Sequence, residues 1–356
     1  MTKQTIPCLV MRGGTSKGVY LLARDLPSDV SERDRLLLSI MGSPDPRQID
    51  GLGGATTLTS KVAIVSTSSR EDCDVEYLFA QVGVDTSVVD TGPTCGNMLT
   101  GVGTFAILRG LVKTSDGVTD IRVWDVNTES RMNIVVPTPG GCIEYEGEAS
   151  IDGVPGTAAP IHVEFLDVLG PVTGQFFPTG NPRDVIEGTR VSCIDSVNPM
   201  VLLHASDLGE TGYEDPAQLD SDHPMLRKLE AIRRAASLAM GLGDATDRVL
   251  PKIALLSPPV AGGHICSRYF TPTHCHEAHA VSGAIALAIA AQCPGSVAED
   301  IGRHEDGDQR TVTIEHPSGH LDVVLRINPE LPPPDTVISA GVVRTARPIM
   351  DGTVFV

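Results

Sequence analysis

The sequence predicts an α/β (α+β) chain of two pseudo-symmetric domains, each a rolled, mostly antiparallel sheet around one central buried helix. Three observations lead there. A set of markers recurs in the same order in the two halves of the chain. Each half holds one helix of almost wholly small and apolar residues, which must be buried on all sides. Alternating strand patterns follow each such helix.

Cys8-Leu9-Val10 opens the first half and leads into an apolar run at 19–26, whereas Cys193-Ile194-Asp195 opens the second and leads into 200–208. An amphipathic stretch closing on Met-Gly comes next in each half, at 31–42 and 225–241. Short apolar runs of strand type follow at 60–66 and 251–257. The helices without a polar face span 96–108, with Gly110 as a stop, and 282–291, with Pro294-Gly295 as a stop. Alternation predicts strands at 121–126 in the first half, and at 311–315 and 321–325 in the second. The turn-rich stretch 174–182 puts the boundary near 182–188, giving domains 1–185 and 186–340. The gap between two such halves is the expected location of a ligand.

Composition narrows the function. Lys and Arg number 27 against 45 Asp and Glu, a formal charge of −18. That argues against nucleic acid or an anionic membrane as partner, because both demand a positive field. One Trp, 5 Tyr and 7 Phe leave little material for base stacking. The 36 Gly and 26 Pro favour tight turns and short strands. No apolar run approaches membrane-spanning length, and residues 1–11 lack the apolar region of a signal peptide. The expectation is a cytoplasmic protein acting on a small molecule, its 8 cysteines reduced and mostly buried.

The chemistry-bearing residues gather at glycine loops. Arg12-Gly13-Gly14-Thr15-Ser16-Lys17-Gly18 lacks the leading glycine of a phosphate loop, and its Lys is not followed by Ser or Thr. Gly51-Leu52-Gly53-Gly54-Ala55-Thr56-Thr57 does not reproduce the dinucleotide spacing. Such loops serve as ordinary turns in many chains. Here hydroxyls and cations beside them exceed what turns require, and loop N–H groups bind anions well. Cys95 precedes Gly96-Asn97 at the head of the first buried helix, where dipole and free N–H groups favour a thiolate or a substrate carboxylate. A lone cysteine is more often a buried hydrophobe. Lys61, inside Ser60-Lys61-Val62-Ala63-Ile64-Val65, either reaches water or is held desolvated, where an amine can act as a carbon-acid base.

In the second half His264, Cys266, His274, Cys275, His276, Glu277 and His279 include no C-x-x-C and no H-E-x-x-H, so no metal is expected. Ser267, Arg268 and His276, just ahead of Ser282-Gly283, are expected to hold substrate carboxylates instead. No G-x-S-x-G is present to suggest a hydrolase. A carboxylate-binding protein without activity and a metal-dependent lyase on the His/Cys cluster are the rival readings.

Further stretches carry a family likeness: Met41-Gly42-Ser43-Pro44-Asp45, Gln48-Ile49-Asp50-Gly51, Thr59-Ser60-Lys61-Val62 and Asp74-Val75-Glu76-Tyr77-Leu78-Phe79-Ala80-Gln81-Val82. So do Pro178-Thr179-Gly180-Asn181, Glu315-His316-Pro317-Ser318-Gly319 and Val343-Arg344-Thr345-Ala346-Arg347. With the glycine loops and Cys95-Gly96-Asn97, they resemble the 2-methylaconitate isomerase (PrpF-like) family over nearly the whole chain. The resemblance implies the diaminopimelate-epimerase-like fold, with residues 341–356 returning to the first domain. It implies a cofactor-free isomerase that moves a proton on a small di- or tricarboxylate. The length and the 344–347 ending fit the branch that tautomerises oxalomesaconate in gallate breakdown; sibling branches perform an allylic shift or a cis-trans isomerisation of methylaconitate. It assigns the acid–base roles to Lys61 and Cys95. Relatives that epimerise amino acids use a Cys from each half, and no Cys stands at Ser282-Gly283 here. The anion is expected to be held by Arg12, Gly13, Gly14, Thr15, Ser16, Lys17, Gly53, Gly54, Ala55, Thr56, Ser60, Gly96 and Asn97 together with Ser267, Arg268, His276, Ser282 and Gly283. A homodimer is compatible with the sequence.

Overall fold

The computed structural model describes residues 5–356 apart from 247, 272 and 303–306. Residues 1–4, the start of the segment read above for a signal peptide, lie outside it. The chain forms two compact units, Met1–Val163 with Val343–Val356, and Glu164–Val342.

The first unit opens with a hairpin of β1 (Thr5–Gly13) and β2 (Ser16–Leu22), followed by α1 (Val30–Met41) and β3 (Lys61–Thr67). Next come β4 (Val75–Val82), β5 (Val89–Asp90), α2 (Gly96–Leu108), β6 (Gly117–Asp125) and β7 (Ser130–Thr138). Pairing runs β1–β2 antiparallel, β2–β3 parallel, β3–β4 antiparallel, β4–β6 parallel and β6–β7 antiparallel. The short β5 lies antiparallel on β4.

The Asp29 carboxylate accepts from Glu32 N at the head of α1, and Gly42 ends the helix with φ 76°. Its Leu37, Ile40 and Met41 bury against Val19, Leu21, Val62, Ile64, Ala80 and Val82 on one face of the sheet. Side chains alternate along a strand, so Tyr20, Lys61, Tyr77, Phe79 and Gln81 fall on the opposite face. That face packs on α2, the helix predicted at 96–108, buried at every position from Gly96 to Ala106. Its small residues permit close approach: a Cβ on Gly101 would strike the Tyr20 ring.

Beyond β8 (Ile161–Phe165) the second unit contains β9 (Asp184–Ile186), β10 (Thr189–Ser196) and β11 (Asn198–His204). It continues through α3 (Pro216–Ser221), α4 (His223–Ala239), β12 (Lys252–Ser257), β13 (Ile265–Phe270) and α5 (Val281–Ala290). It closes with β14 (Gln309–His316), β15 (Gly319–Ile327) and β16 (Val337–Arg344). Pairing from β10 through β11, β12, β13 and β14 to β15 repeats the first unit: antiparallel, parallel, antiparallel, parallel, antiparallel. The duplicated markers are therefore a duplicated topology. Amphipathic α4 covers one face of this sheet with Met225, Leu229, Ile232 and Ala236. The wholly buried α5 starts one residue before the predicted helix, because Ala280 rather than Val281 has extended backbone.

The chain finally re-enters the first unit as β17 (Ala346–Phe355), antiparallel to β1. No helix among the described residues is long and apolar enough to cross a membrane.

Candidate active site

Cys95 is the N-cap of α2, with extended backbone (φ −135°, ψ 101°) and a half-buried side chain that makes no capping bond. Its carbonyl accepts from Leu99 N at 2.9 Å and from Tyr77 Oη at 3.1 Å. Tyr20 Oη donates to Met98 O at 2.6 Å. Both tyrosines are wholly buried; desolvation, and then the neighbouring Cys95, pushes their phenols well above the ordinary range. They act as neutral donors that fix the first turn of the helix. Thr94, the residue before the thiol, donates its hydroxyl to Asp125 Oδ2. Asp125 Oδ1 accepts from Asn127 N at 2.8 Å and Thr128 N at 3.0 Å. Burial drives this carboxyl up to about 6, against the pull of those donors.

The turn between β1 and β2 lies directly on the head of α2. A Cβ on Gly13 would strike Asn97 O, and one on Gly14 (φ 52°) would strike the Asn97 side chain. Asn97 Nδ2 donates to Thr15 Oγ1 at 3.0 Å. Arg12 Nη1 donates to Gly14 O at 2.9 Å and Thr345 O at 2.8 Å, so this donor braces the turn. Burial, and then the charge of Arg347, lowers the Arg12 guanidinium from its ordinary value. Ser16 Oγ is buried and has no hydrogen-bond partner among the described residues. Lys17 donates its backbone N–H to Leu58 O at 3.0 Å, tying β2 to the loop before β3.

Lys61 begins β3 and is buried. Its Nζ donates to Gln81 Oε1 at 2.7 Å and lies 5.0 Å from the centroid of Phe79. Gln81 Nε2 donates in turn to Ser60 O at 2.9 Å and Thr57 O at 3.2 Å. Gln48 organises the loop ahead: Nε2 donates to Ser60 Oγ at 2.7 Å and Oε1 accepts from Ala55 N at 2.8 Å. Ser60 Oγ donates to Val82 O at 2.9 Å. A Cβ on Gly53 would strike Gln48, and one on Gly54 would crowd Thr59, whose hydroxyl lies 2.9 Å from that of Thr56. Gly96 O accepts from Thr100 Oγ1 at 3.0 Å.

In the first unit the glycine turn lies on Asn97, the residue two after Cys95, and Lys61 starts a strand on the same, α2 side of the sheet. One face of β4 supplies the supports: Tyr77 holds the Cys95 carbonyl, Phe79 underlies the Lys61 amine, and Gln81 binds it. These three residues stand in the 74–82 stretch quoted for the family likeness, but neither they nor Tyr20 and Asp125 were given a role from the sequence. The one available signal was Gln81, an uncharged polar residue in the otherwise apolar run Leu78-Phe79-Ala80-Gln81-Val82.

The remaining candidates lie in the second unit. Arg268 donates Nε to Glu214 O at 2.8 Å and Nη1 to Ser267 O at 3.3 Å. Ser267 Oγ lies 3.0 Å from His279 Nε2, and His276 Nδ1 accepts from Ala278 N at 2.9 Å. Ser282 Oγ accepts from Asn198 Nδ2 at 3.0 Å, and a Cβ on Gly283 would strike the Tyr269 ring. Lys252 occupies the place on β12 that Lys61 has on β3, but Ala280 stands where the first unit has Cys95. The His/Cys cluster is dispersed: Thr313 N donates to His264 Nδ1 at 3.0 Å, and Asp220 faces His274 Nδ1 at 3.2 Å. Burial pushes the Cys275 thiol up to about 12. Among the described residues no three His, Cys, Asp or Glu side chains gather as metal ligands do.

Comparison with known proteins agrees with this architecture. The family profile described as "PrpF protein" matches residues 3–356. The chain is 49% identical over 350 residues to (4E)-oxalomesaconate Delta-isomerase of Novosphingobium sp. (strain KA1), covering 98% of this chain and 97% of that one. It is also 49% identical over 354 residues to 4-oxalomesaconate tautomerase of Pseudomonas putida, covering 99% and 97%. The crystal structure of methylitaconate-delta-isomerase superposes with a TM-score of 0.80 at 37% identity, covering 100% of this chain and 96% of that one.

Proposed function

The chain belongs to the PrpF family, and on that premise we propose that it is an isomerase that tautomerises 4-oxalomesaconate. It works without a cofactor, in the cytoplasm, in the breakdown of gallate and related aromatics. Lys61 removes a proton from the carbon beside the substrate ketone; the C–H electron pair forms a new C=C bond and the carbonyl π pair moves to the oxygen, giving a dienolate. That oxygen then takes up a proton, so the keto form becomes the enol with no net gain or loss of atoms. Donors at the glycine turn and the head of α2, with Lys17 nearby, offset the developing charge; one well-placed donor is worth about 3 kcal/mol.

The observation that carries this reading is the shared placement of Lys61 and Cys95. Both are fixed from one face of β4, on the α2 side of the sheet. A second reading is favoured by the Cys95 thiol, which caps no N–H of its own helix and is left to deliver a proton. In that case Cys95 protonates the distal carbon and the double bond shifts allylically.

Incubation with 4-oxalomesaconate in D2O, followed by NMR and ultraviolet absorbance, tests both. Enol formation with exchange at the carbon beside the ketone, absent in Lys61→Ala and unaffected by chelators, is expected. Deuterium at the distal carbon selects the allylic reading. Binding without exchange in the wild-type protein leaves only a carboxylate-binding protein.

A further inference from the structure

We propose that Gln81 is the positioning residue of the reaction: its amide aims the Lys61 amine and keeps a neutral acceptor beside it. The inference rests on the proton-transfer reading above, and three features of the site support it.

The amide has a single orientation. Its Nε2 donates to the carbonyls of Ser60 and Thr57, at 2.9 and 3.2 Å, so both N–H groups are committed and Oε1 must face Lys61 Nζ. Those carbonyls belong to the residues leading into Lys61, so the side chain and its own backbone are clamped by one group. The acceptor is also uncharged. A carboxylate at 2.7 Å would strongly stabilise the ammonium form and withhold the free base, whereas an uncharged amide oxygen accepts from both forms and favours the ammonium only weakly. Finally, Gln81 sits at the end of β4, two residues beyond Phe79, whose ring underlies the same amine.

The titratable groups on neighbouring elements do not substitute for it. Lys17 and Tyr20 stand on β2, Arg24 and Asp25 in the turn after it, Glu76 and Tyr77 on β4, and Cys95 at the head of α2. Glu76 is opposite Ser66, away from Lys61 along the strand pair. Asp90 lies opposite Gln81 on β5 and accepts from Gly92 N at 2.7 Å.

Two variants test the assignment in opposite directions. Gln81→Glu supplies a charge of near-identical shape and should move the acidic limb of kcat/KM to higher pH, by about 1 unit or more. Gln81→Met removes the acceptor and should move that limb to lower pH while lowering kcat. A substrate-free readout accompanies them: the carbon-13 shift of Lys61 Cε across pH in lysine-labelled protein, assigned by Lys61→Arg. Opposite displacement of that titration in the two variants supports the role of Gln81 even if 4-oxalomesaconate is not turned over, an outcome that would overturn only the substrate. Activity lost in parallel at every pH, with an unmoved Lys61 titration, overturns it.

Discussion

Replacing Asp125 with Asn should change the pH dependence of stability more than stability itself. The carboxyl is wholly buried, and its desolvation raises it from 3.8 to about 6. The folded protein therefore binds this proton more tightly than the unfolded chain does. Stability contributed by the protonated form is complete below pH 3.8 and is lost as pH rises through about 6. Two units at 1.36 kcal/mol each amount to about 3 kcal/mol. Asparagine keeps the shape and can still accept from Asn127 N and Thr128 N, while its amide faces the Thr94 hydroxyl. Many surface carboxylates titrate in the opposite sense, among them Asp74 and Asp351, each lowered first by a bond from an arginine. Only the difference between wild type and variant isolates Asp125. The assay is urea unfolding between pH 4 and 7, followed by fluorescence of the sole tryptophan, Trp124, adjacent to Asp125 on β6. Wild type should gain about 2 kcal/mol of that amount relative to Asp125→Asn as pH falls across that interval. Parallel curves would refute the reasoning.

Other substitutions separate chemistry from scaffold. Cys95→Ser should leave the melting temperature unchanged, since the thiol caps no N–H of its own helix, yet slow the allylic shift about 100-fold in a steady-state assay. Gly14→Ala forces a Cβ against Asn97 at a φ of 52°, and should cost about 1–3 kcal/mol in urea unfolding while also lowering kcat. Gly283→Ala overpacks α5 against Tyr269 and should destabilise by about 1–3 kcal/mol by the same measurement. Asp351→Ala breaks an ion pair with Arg109 in which the Asp351 side chain is 62% exposed, and should lower the unfolding free energy by less than about 1 kcal/mol.

The buried helices were legible because burial on all sides leaves a composition that no surface helix has. Predicted 96–108 coincides with α2, and 282–291 is displaced from α5 by one residue. Cys95 was legible as a helix head because Gly96-Asn97 opens an apolar run. The supports were not. Tyr20, Tyr77 and Phe79 occupy core-facing strand positions, where an aromatic residue is ordinary packing. The hydroxyl partners of the two tyrosines are carbonyls, which leave no trace in sequence. Charge was legible, but what it faces was not: Arg12 and Arg268 were read as anion holders, and their located donors meet backbone carbonyls and, for Arg268, also the Cys266 thiol. Asp125 ends a regular alternating strand, and only the fold brings it to Thr94, distant in sequence.

Strand β17 has a consequence for biosynthesis. The glycine turn is translated well before Thr345, whose carbonyl receives both Arg12 and Gly14. Translation of the entire second unit intervenes, and through that interval β1 has no neighbour along the edge that β17 later occupies. A nascent chain thus carries Lys61 and Cys95 long before it owns the clasp that shapes the turn beside them. Removing residues 345–356 would injure the turn at residues 13–16, and leave the fold of the second unit to stand by itself.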